Sequence, residues 1–468
     1  MATLSELTQH ANSLKAAGRM DEAIAAFRAI VEIAPTNLAV MHNLAGALGD
    51  ADRHKEAIDW AQRAINAGIQ APETWRVLGK ALAGDERLEE AKQAFQRAIE
   101  LRPNDAVVQK DYAQLIWMMT ADRALALVKI NSAIAAFPQD MELRMVRAQI
   151  IGQTGDARGE YEEILAFTKM GADFNLHLEM ATLNAALAAG EFIAALRHAR
   201  AAYAKEPHNP LIRQALCRSL LAVGEPLEAL REIGRLRAQY PLDQLYIALQ
   251  ATAWRMLEDE RYHAVFDYKR FVAGFPLACP PGWRSAEQYV DDLIEALDRH
   301  HHYKSHPFGQ SVRNGSQLQS LNAHADPAIR AVTEAVRGPI QSYIDQLGVG
   351  TDPLRIRNRG GYRLFSIWSI ALKSSGYHVD HVHPQGWLSS ACHLRFPEPK
   401  TENDKSGWLK FGEPGIPTTP SLDPELFVRP QKGVMVVFPS YMWHGTAPFS
   451  AATTRLTIAG DSLPAQPI

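Results

Sequence analysis

Three histidines fall within six residues, in the stretch Gly376-Tyr377-His378-Val379-Asp380-His381-Val382-His383-Pro384. In an extended chain residues i and i+2 share a face. His381 and His383 therefore project together, and so do His378 and Asp380, on the other side. Either pair offers two ligands to one metal ion, and a third must come from a distant strand. His444, in Phe438-Pro439-Ser440-Tyr441-Met442-Trp443-His444-Gly445, is the candidate. Arg455 follows in Thr454-Arg455-Leu456-Thr457-Ile458. Three protein ligands on one face of an octahedron are what a non-haem iron(II) centre needs. The open positions then take a cosubstrate and dioxygen. If the cosubstrate is 2-oxoglutarate, its 2-oxo acid end binds iron and its far carboxylate needs a fixed cation. Arginine supplies that bidentately and lysine does not. The competing reading of the histidine cluster is a solvated polar loop, and of Arg455 a surface cation.

These residues need strands to position them. From about residue 353 the pattern turns to period two and to β-formers, with candidate strands at 361–372, 388–396, 407–411, 433–438 and 453–459. Many short strands separated by Gly, Pro and Asn suggest a jelly-roll barrel. Two helical stretches precede them, at 285–303 and 326–347, joined by the polar loop HPFGQSVRNGSQL. The run His300, His301, His302 beside Arg299 and Lys304 reads as a solvated helix end. Cys392 reads as a small core residue. His306 and His393 have no partner legible in the sequence. The proline-rich FPLACPPGWRS marks a boundary near 276–283, giving domains 1–276 and 277–468.

Before that boundary the chain repeats. The clearest copy starts at Pro72 and carries Trp75, Leu78, Gly79, Leu82, Ala91, Phe95, Ala98 and Pro103. Those residues match the tetratricopeptide signature with its 34-residue period. Other copies hold Leu14, Ala23, Phe27 and Pro35; then Leu48, Ala57, Ala61 and Ala64; and later Cys217, Ala229, Ile233 and Pro241. The segment 141–175 fits worst. Small residues sit where helices cross closely, large ones fill the space between neighbours, and proline ends the second helix. One repeat cannot bury its own apolar face, so six or seven copies must stack into a solenoid with a concave groove.

The 468 residues carry 49 Lys and Arg against 52 Asp and Glu, a net charge of -3, so no basic excess points to nucleic acid or an anionic membrane. Three scattered cysteines give no disulfide framework. No signal peptide and no apolar run long enough to span a membrane is visible. The expected setting is a reducing cytoplasm. The sequence leaves the oligomeric state open.

The stretch 360–463 resembles the 2-oxoglutarate/iron(II) oxygenase superfamily. It is most similar to a bacterial and phage branch with a Trp, then HxHP, a serine-led strand, a Gly-x-hydrophobic strand, FPSxxxH and a late Arg. The matching residues are Trp368, His381-Val382-His383-Pro384, Ser389-Ser390, Ser406-Gly407-Trp408, Phe438-Pro439-Ser440 with His444, and Arg455. Gln310-Ser311-Val312-Arg313-Asn314-Gly315 resembles a stretch upstream of that branch's barrel. The resemblance implies that His381, His383 and His444 bind Fe(II) and that Arg455 holds the 5-carboxylate of 2-oxoglutarate. It implies a dioxygenase that hydroxylates a substrate with molecular oxygen. The repeats, like others of their class, imply a protein or peptide partner in the groove. The chain departs from the wider superfamily in two places. HxH replaces HxD, and His393 stands where a cosubstrate-binding tyrosine is common. His378 with Asp380 remains a second HxD-type pair. Two other functions stay open: a repeat-based binding scaffold with an inactive barrel, and a three-histidine metal enzyme that does not use 2-oxoglutarate.

Overall fold

The computed structural model describes residues 3–168 and 175–465. The chain forms two compact units, Met1–Gly155 and Asp156–Ile468. In the first, antiparallel helices pair in sequence: α1 (Leu4–Ala16) with α2 (Met20–Ile33), α3 (Leu38–Asp50) with α4 (His54–Asn66), α5 (Pro72–Gly84) with α6 (Leu88–Leu101), and α7 (Ala106–Thr120) with α8 (Arg123–Ala136). Helix α9 (Met141–Gln153) ends the unit. The second unit opens with α10 (Ala157–Thr168). It continues with α11 (Leu176–Ala188) and α12 (Phe192–Lys205), α13 (Pro210–Ala222) and α14 (Pro226–Gln239), and α15 (Gln244–Met256) with the short α16 (Arg261–Val265) and α17 (Tyr268–Phe271). Part of the poorly fitting segment 141–175, residues 169–174, lies outside the described residues.

Local chemistry sets this register. Asn37, Asp105, Asp140, Asn209 and Asp243 each stand two residues after a proline, and each side chain accepts the backbone N–H of the helix it precedes. Proline stops one helix and the Asx cap starts the next. Between paired helices one residue turns left-handed: Gly18, Asp52, Glu86, Ala121, Gly190, Gly224 and Glu258. The interiors are small and apolar. Ala91 and Phe95 are buried, and a Cβ built on Gly79 would lie 3.0 Å from the Phe95 ring, so glycine there permits the close crossing.

After α17 the chain enters two antiparallel sheets, the arrangement of a jelly roll. The strands are β1 (Ala273–Pro276), β2 (Val312–Leu318), β3 (Tyr362–His378), β4 (Leu388–Arg395), β5 (Leu409–Phe411), β6 (Leu426–Val428), β7 (Val434–Pro439), β8 (His444–Thr446) and β9 (Arg455–Pro464). The larger sheet runs β1-β7-β4-β9-β3-β2 and the smaller β6-β5-β8. Between β1 and β3 lie α18 (Ala286–His300), α19 (Pro327–Arg330), α20 (Val332–Ala335) and α21 (Arg337–Leu347).

Four strands were not legible in the sequence. β1 lies on the helical side of the expected boundary and is four residues long. β6 and β8 have three residues each. Strands this short carry too little alternation to read. β2 falls within the segment expected to be a polar loop. It is an edge strand whose only ladder partner is β3, so polar residues such as Arg313 and Asn314 suit its position.

His301 corrects the reading of the histidine run as a solvated helix end. Its ring is packed under the sheet. Ser369 Oγ donates to the Thr457 carbonyl (3.2 Å) and accepts from His301 Nε2 (3.0 Å), while Nδ1 pairs with Ser316 Oγ (2.7 Å). Burial pushes the imidazole's pKa down to about 4, so at neutral pH the ring is uncharged and Nδ1 accepts from the Ser316 hydroxyl. The unfolded chain, titrating near 6.5, therefore binds more protons than the folded one between these values. Stability of the second unit should fall as pH drops through that window, by roughly 3 kcal/mol from this group at full effect. Urea unfolding at pH 7, 5.5 and 4 should give a shallower pH slope for His301→Gln than for wild type. Equal slopes would remove His301 from the account.

Candidate metal centre

Residues opposite each other in an antiparallel ladder share a face, so the register defines the inner wall of the barrel. One row is Phe438, Ser389 and Asp461; the next is Val436, Ala391, Ala459 and Trp368. Beyond them come Val434, His393, Thr457, Ile370 and Gln317, then Arg455 with Leu372. The opposite face carries Cys392, Ile458 and Ser369. Cys392 is fully buried there, and burial raises its thiol pKa. The inner wall borders a cavity of about 760 Å³ that also holds His378, His381, His383 and His444.

The metal-ligating atoms of His381, His383 and His444 lie within 4.8 Å of one another. His381 and His383 come from the crossing after β3, and His444 opens β8. The two segments are joined by a reciprocal pair of backbone bonds, His381 N–H to His444 O (3.0 Å) and His444 N–H to His381 O (3.1 Å). His383 N–H donates to Ser440 O, tying the crossing to the loop before His444.

Each imidazole commits its Nδ1. His381 Nδ1 donates to the Val379 carbonyl (2.8 Å), His444 Nδ1 to the Met442 carbonyl (2.9 Å), and His383 Nδ1 to the Asp461 carboxylate (2.6 Å). Carbonyls and carboxylates only accept, so each Nδ1 carries a proton, and in a neutral imidazole Nε2 is then the atom left to bind a metal. His383 Nε2 approaches His381 Nε2 to 3.1 Å. Burial, then the neighbouring imidazoles, hold His444 far below its usual value, and burial with His383 brings His381 to about 3. Three imidazole nitrogens grouped this closely could hold a divalent transition-metal ion.

Asp461 is the residue that sequence reasoning missed. Its Oδ1 accepts from Ser389 Oγ (2.8 Å), which also bonds Ser440 Oγ (2.9 Å). A carboxylate behind a ligating imidazole fixes its orientation and makes it a stronger donor. The available signal was alternation: Arg455, Thr457, Ala459 and Asp461 are every second residue of β9. The expected strand ended at 459, two residues short. Trp368 stacks on His383 (ring centroids 5.8 Å apart, 16° between planes).

His378 and Asp380 lie outside the ligand group. The Asp380 carboxylate pairs with Lys410 Nζ at 2.8 Å, and burial raises its pKa to about 6. The His378 ring centroid is 6.3 Å from that of His381. Its Nε2, and Gln317 Oε1, reach no hydrogen-bond partner although both residues line the cavity.

Arg455 is buried to 1% exposure. Its Nε donates to Gly407 O (2.8 Å), Nη1 to Thr457 Oγ1 (2.7 Å) and Nη2 to His393 Nδ1 (3.2 Å). Burial lowers its pKa to about 10, which leaves it charged at neutral pH. Among the described residues no carboxylate pairs with it. His393 thus has a partner that the sequence did not reveal, the guanidinium itself. A buried cation without a counterion is costly, and an anion entering the cavity offsets that cost.

Residues 366–461 match the family described as "Putative 2OG-Fe(II) oxygenase". Residues 14–81 and 186–253 match one tetratricopeptide repeat family and 72–105 another. The Small glutamine-rich tetratricopeptide repeat-containing protein 2 of Mycosarcoma maydis is 28% identical over 113 residues, which are 24% of this chain and 32% of that protein. The match thus spans about a third of that relative's length. A tetratricopeptide repeat protein of Parabacteroides merdae is similar at 12% identity and a TM-score of 0.37, over 53% of this chain and 98% of that one. The pilF protein of Pseudomonas aeruginosa is similar at 16% and 0.32, over 44% and 93%. The chain carries tetratricopeptide repeats in its N-terminal region and, at its C-terminus, a domain of the family described as "Putative 2OG-Fe(II) oxygenase".

Proposed function

We propose that the C-terminal domain is a 2-oxoglutarate- and iron(II)-dependent dioxygenase. His381, His383 and His444 hold the metal, and Arg455 holds the far carboxylate of 2-oxoglutarate. One observation carries this reading: three clustered imidazoles share a cavity with a buried arginine that, among the described residues, has no carboxylate partner. When bound, iron and 2-oxoglutarate would supply oxidative decarboxylation to succinate and hydroxylation of a substrate C–H bond.

The chain's own groups bind and orient. The three Nδ1–H bonds keep the Nε2 lone pairs aimed inward. Asp461 places a carboxylate behind His383, which partly offsets the charge lost when HxD becomes HxH. Trp368, Phe438 and Leu409 give apolar walls that limit water. His378 and Gln317 line the same cavity. Repeats of this class bind proteins, so we propose a protein or peptide substrate recruited by residues 1–276 and oxidised by 277–468. All three cysteines are free, which suits the cytoplasm.

The test is anaerobic loading with iron(II), then 2-oxoglutarate-dependent succinate formation in air, including uncoupled turnover. Wild type should form succinate, and His383→Ala and His444→Ala should not. Arg455→Ala should raise the 2-oxoglutarate concentration needed by roughly a hundredfold. Tight iron binding without succinate would favour a three-histidine enzyme of another kind. Absence of both would leave a scaffold.

Asp461→Asn separates the carboxylate from the ligands themselves. It should weaken metal binding by about 10–100-fold while the fold persists, read by equilibrium titration against a chelator. Unchanged affinity would show that Asp461 does not act on the metal.

A further inference from the structure

The last repeat is built into the barrel, at the two segments that carry the three histidines. Trp443, which precedes His444, is 3% exposed, and its indole N–H donates to Thr252 Oγ1 on α15 (2.9 Å). That hydroxyl donates in turn to the Ala248 carbonyl (2.9 Å), so its lone pair is free to receive the indole. Pro384, which follows His383, accepts the backbone N–H of Gln244, the first residue of α15 (3.4 Å). Arg255, near the end of the helix, donates to the carbonyls of Gly412 (2.9 Å) and Asp423 (2.8 Å). One helix of thirteen residues therefore touches the chain beside two ligands at once.

The repeat fold does not require this threonine. In the two preceding repeats the same register holds Asn184 and Arg218, which bond each other (3.4 Å). The column runs along one side of the stacked helices, and at its last step the barrel's indole fills it.

We propose that α15 is a positioning element of the metal centre, with Thr252 setting His444 through Trp443. This rests on the metal-binding reading above. Losing the Thr252 acceptor would leave a buried N–H unpaired, and the indole would have to move. His444 is its direct neighbour in the chain.

Cobalt(II) is a suitable probe, because imidazoles bind it and its visible absorption reports ligand geometry. The full-length protein is titrated as wild type, Thr252→Val, Thr252→Ser and Ile233→Ala, well below each melting temperature. Ile233 is a buried residue of α14 and controls for general destabilisation. Thr252→Val should weaken cobalt binding about tenfold and shift the visible bands. Thr252→Ser should restore both, and Ile233→Ala should change neither. Trp443→Phe should lower affinity too, and adding Thr252→Val to it should cost little more. Wild-type affinity and spectrum in Thr252→Val, or an equal shift in Ile233→Ala, would overturn the proposal. Failure of wild type to bind cobalt would instead remove the metal reading and this inference with it.

Discussion

Two imidazole nitrogens lie 3.1 Å apart in the cavity wall, and a third joins them within 4.8 Å. Bringing three imidazoles this close costs conformational freedom, and folding must hold them together. The second unit does so with backbone. The reciprocal bonds between His381 and His444 lock the two ligand segments, and His383 is tied to Ser440. Each Nδ1 has a fixed acceptor, so no ring is free to flip its bare nitrogen away. The jelly roll serves this geometry: β7 and β8 flank the loop that leads to His444, while β3 and β4 flank the crossing that carries the other two.

Charge is arranged along one strand. β9 places Arg455 at its start and Asp461 six residues on, on the same face. In the proposed function the first would offer a cation to an incoming carboxylate, and the second would lend negative charge to the three histidines. On the proposed reading of the three histidines as metal ligands, HxH replaces HxD and the Asp461 carboxylate, hydrogen-bonded to His383 Nδ1, partly offsets the lost charge.

The compact units do not follow the change from helix to strand. Asp156–Ile468 joins the last repeats to both sheets. Buried contacts explain this: Trp443 on Thr252, Tyr441 on the Val265 carbonyl, and Thr419 on the carbonyls of Leu221 and Ala222. Helices that would otherwise expose an end of the solenoid are covered by the barrel. An array of stacked repeats needs its terminal face closed, and here the barrel closes it.

The sequence by itself determined the repeat register and the residue types of the site. Proline and apolar spacing act within a few residues, so they are readable without knowing what packs where. His381, His383, His444 and Arg455 stood out because histidine spacing and a late arginine are local patterns too. Only the tertiary structure decided which nitrogens carry protons, since that depends on acceptors such as Val379, Met442 and Asp461. It also placed Asp380 on Lys410 rather than among the ligands. It gave His393 and His301 their partners, and it set α15 against Trp443. Each of these is a contact between segments far apart in sequence. Hydrogen-bond valence is satisfied in space, and a one-dimensional pattern does not record which distant group satisfies it.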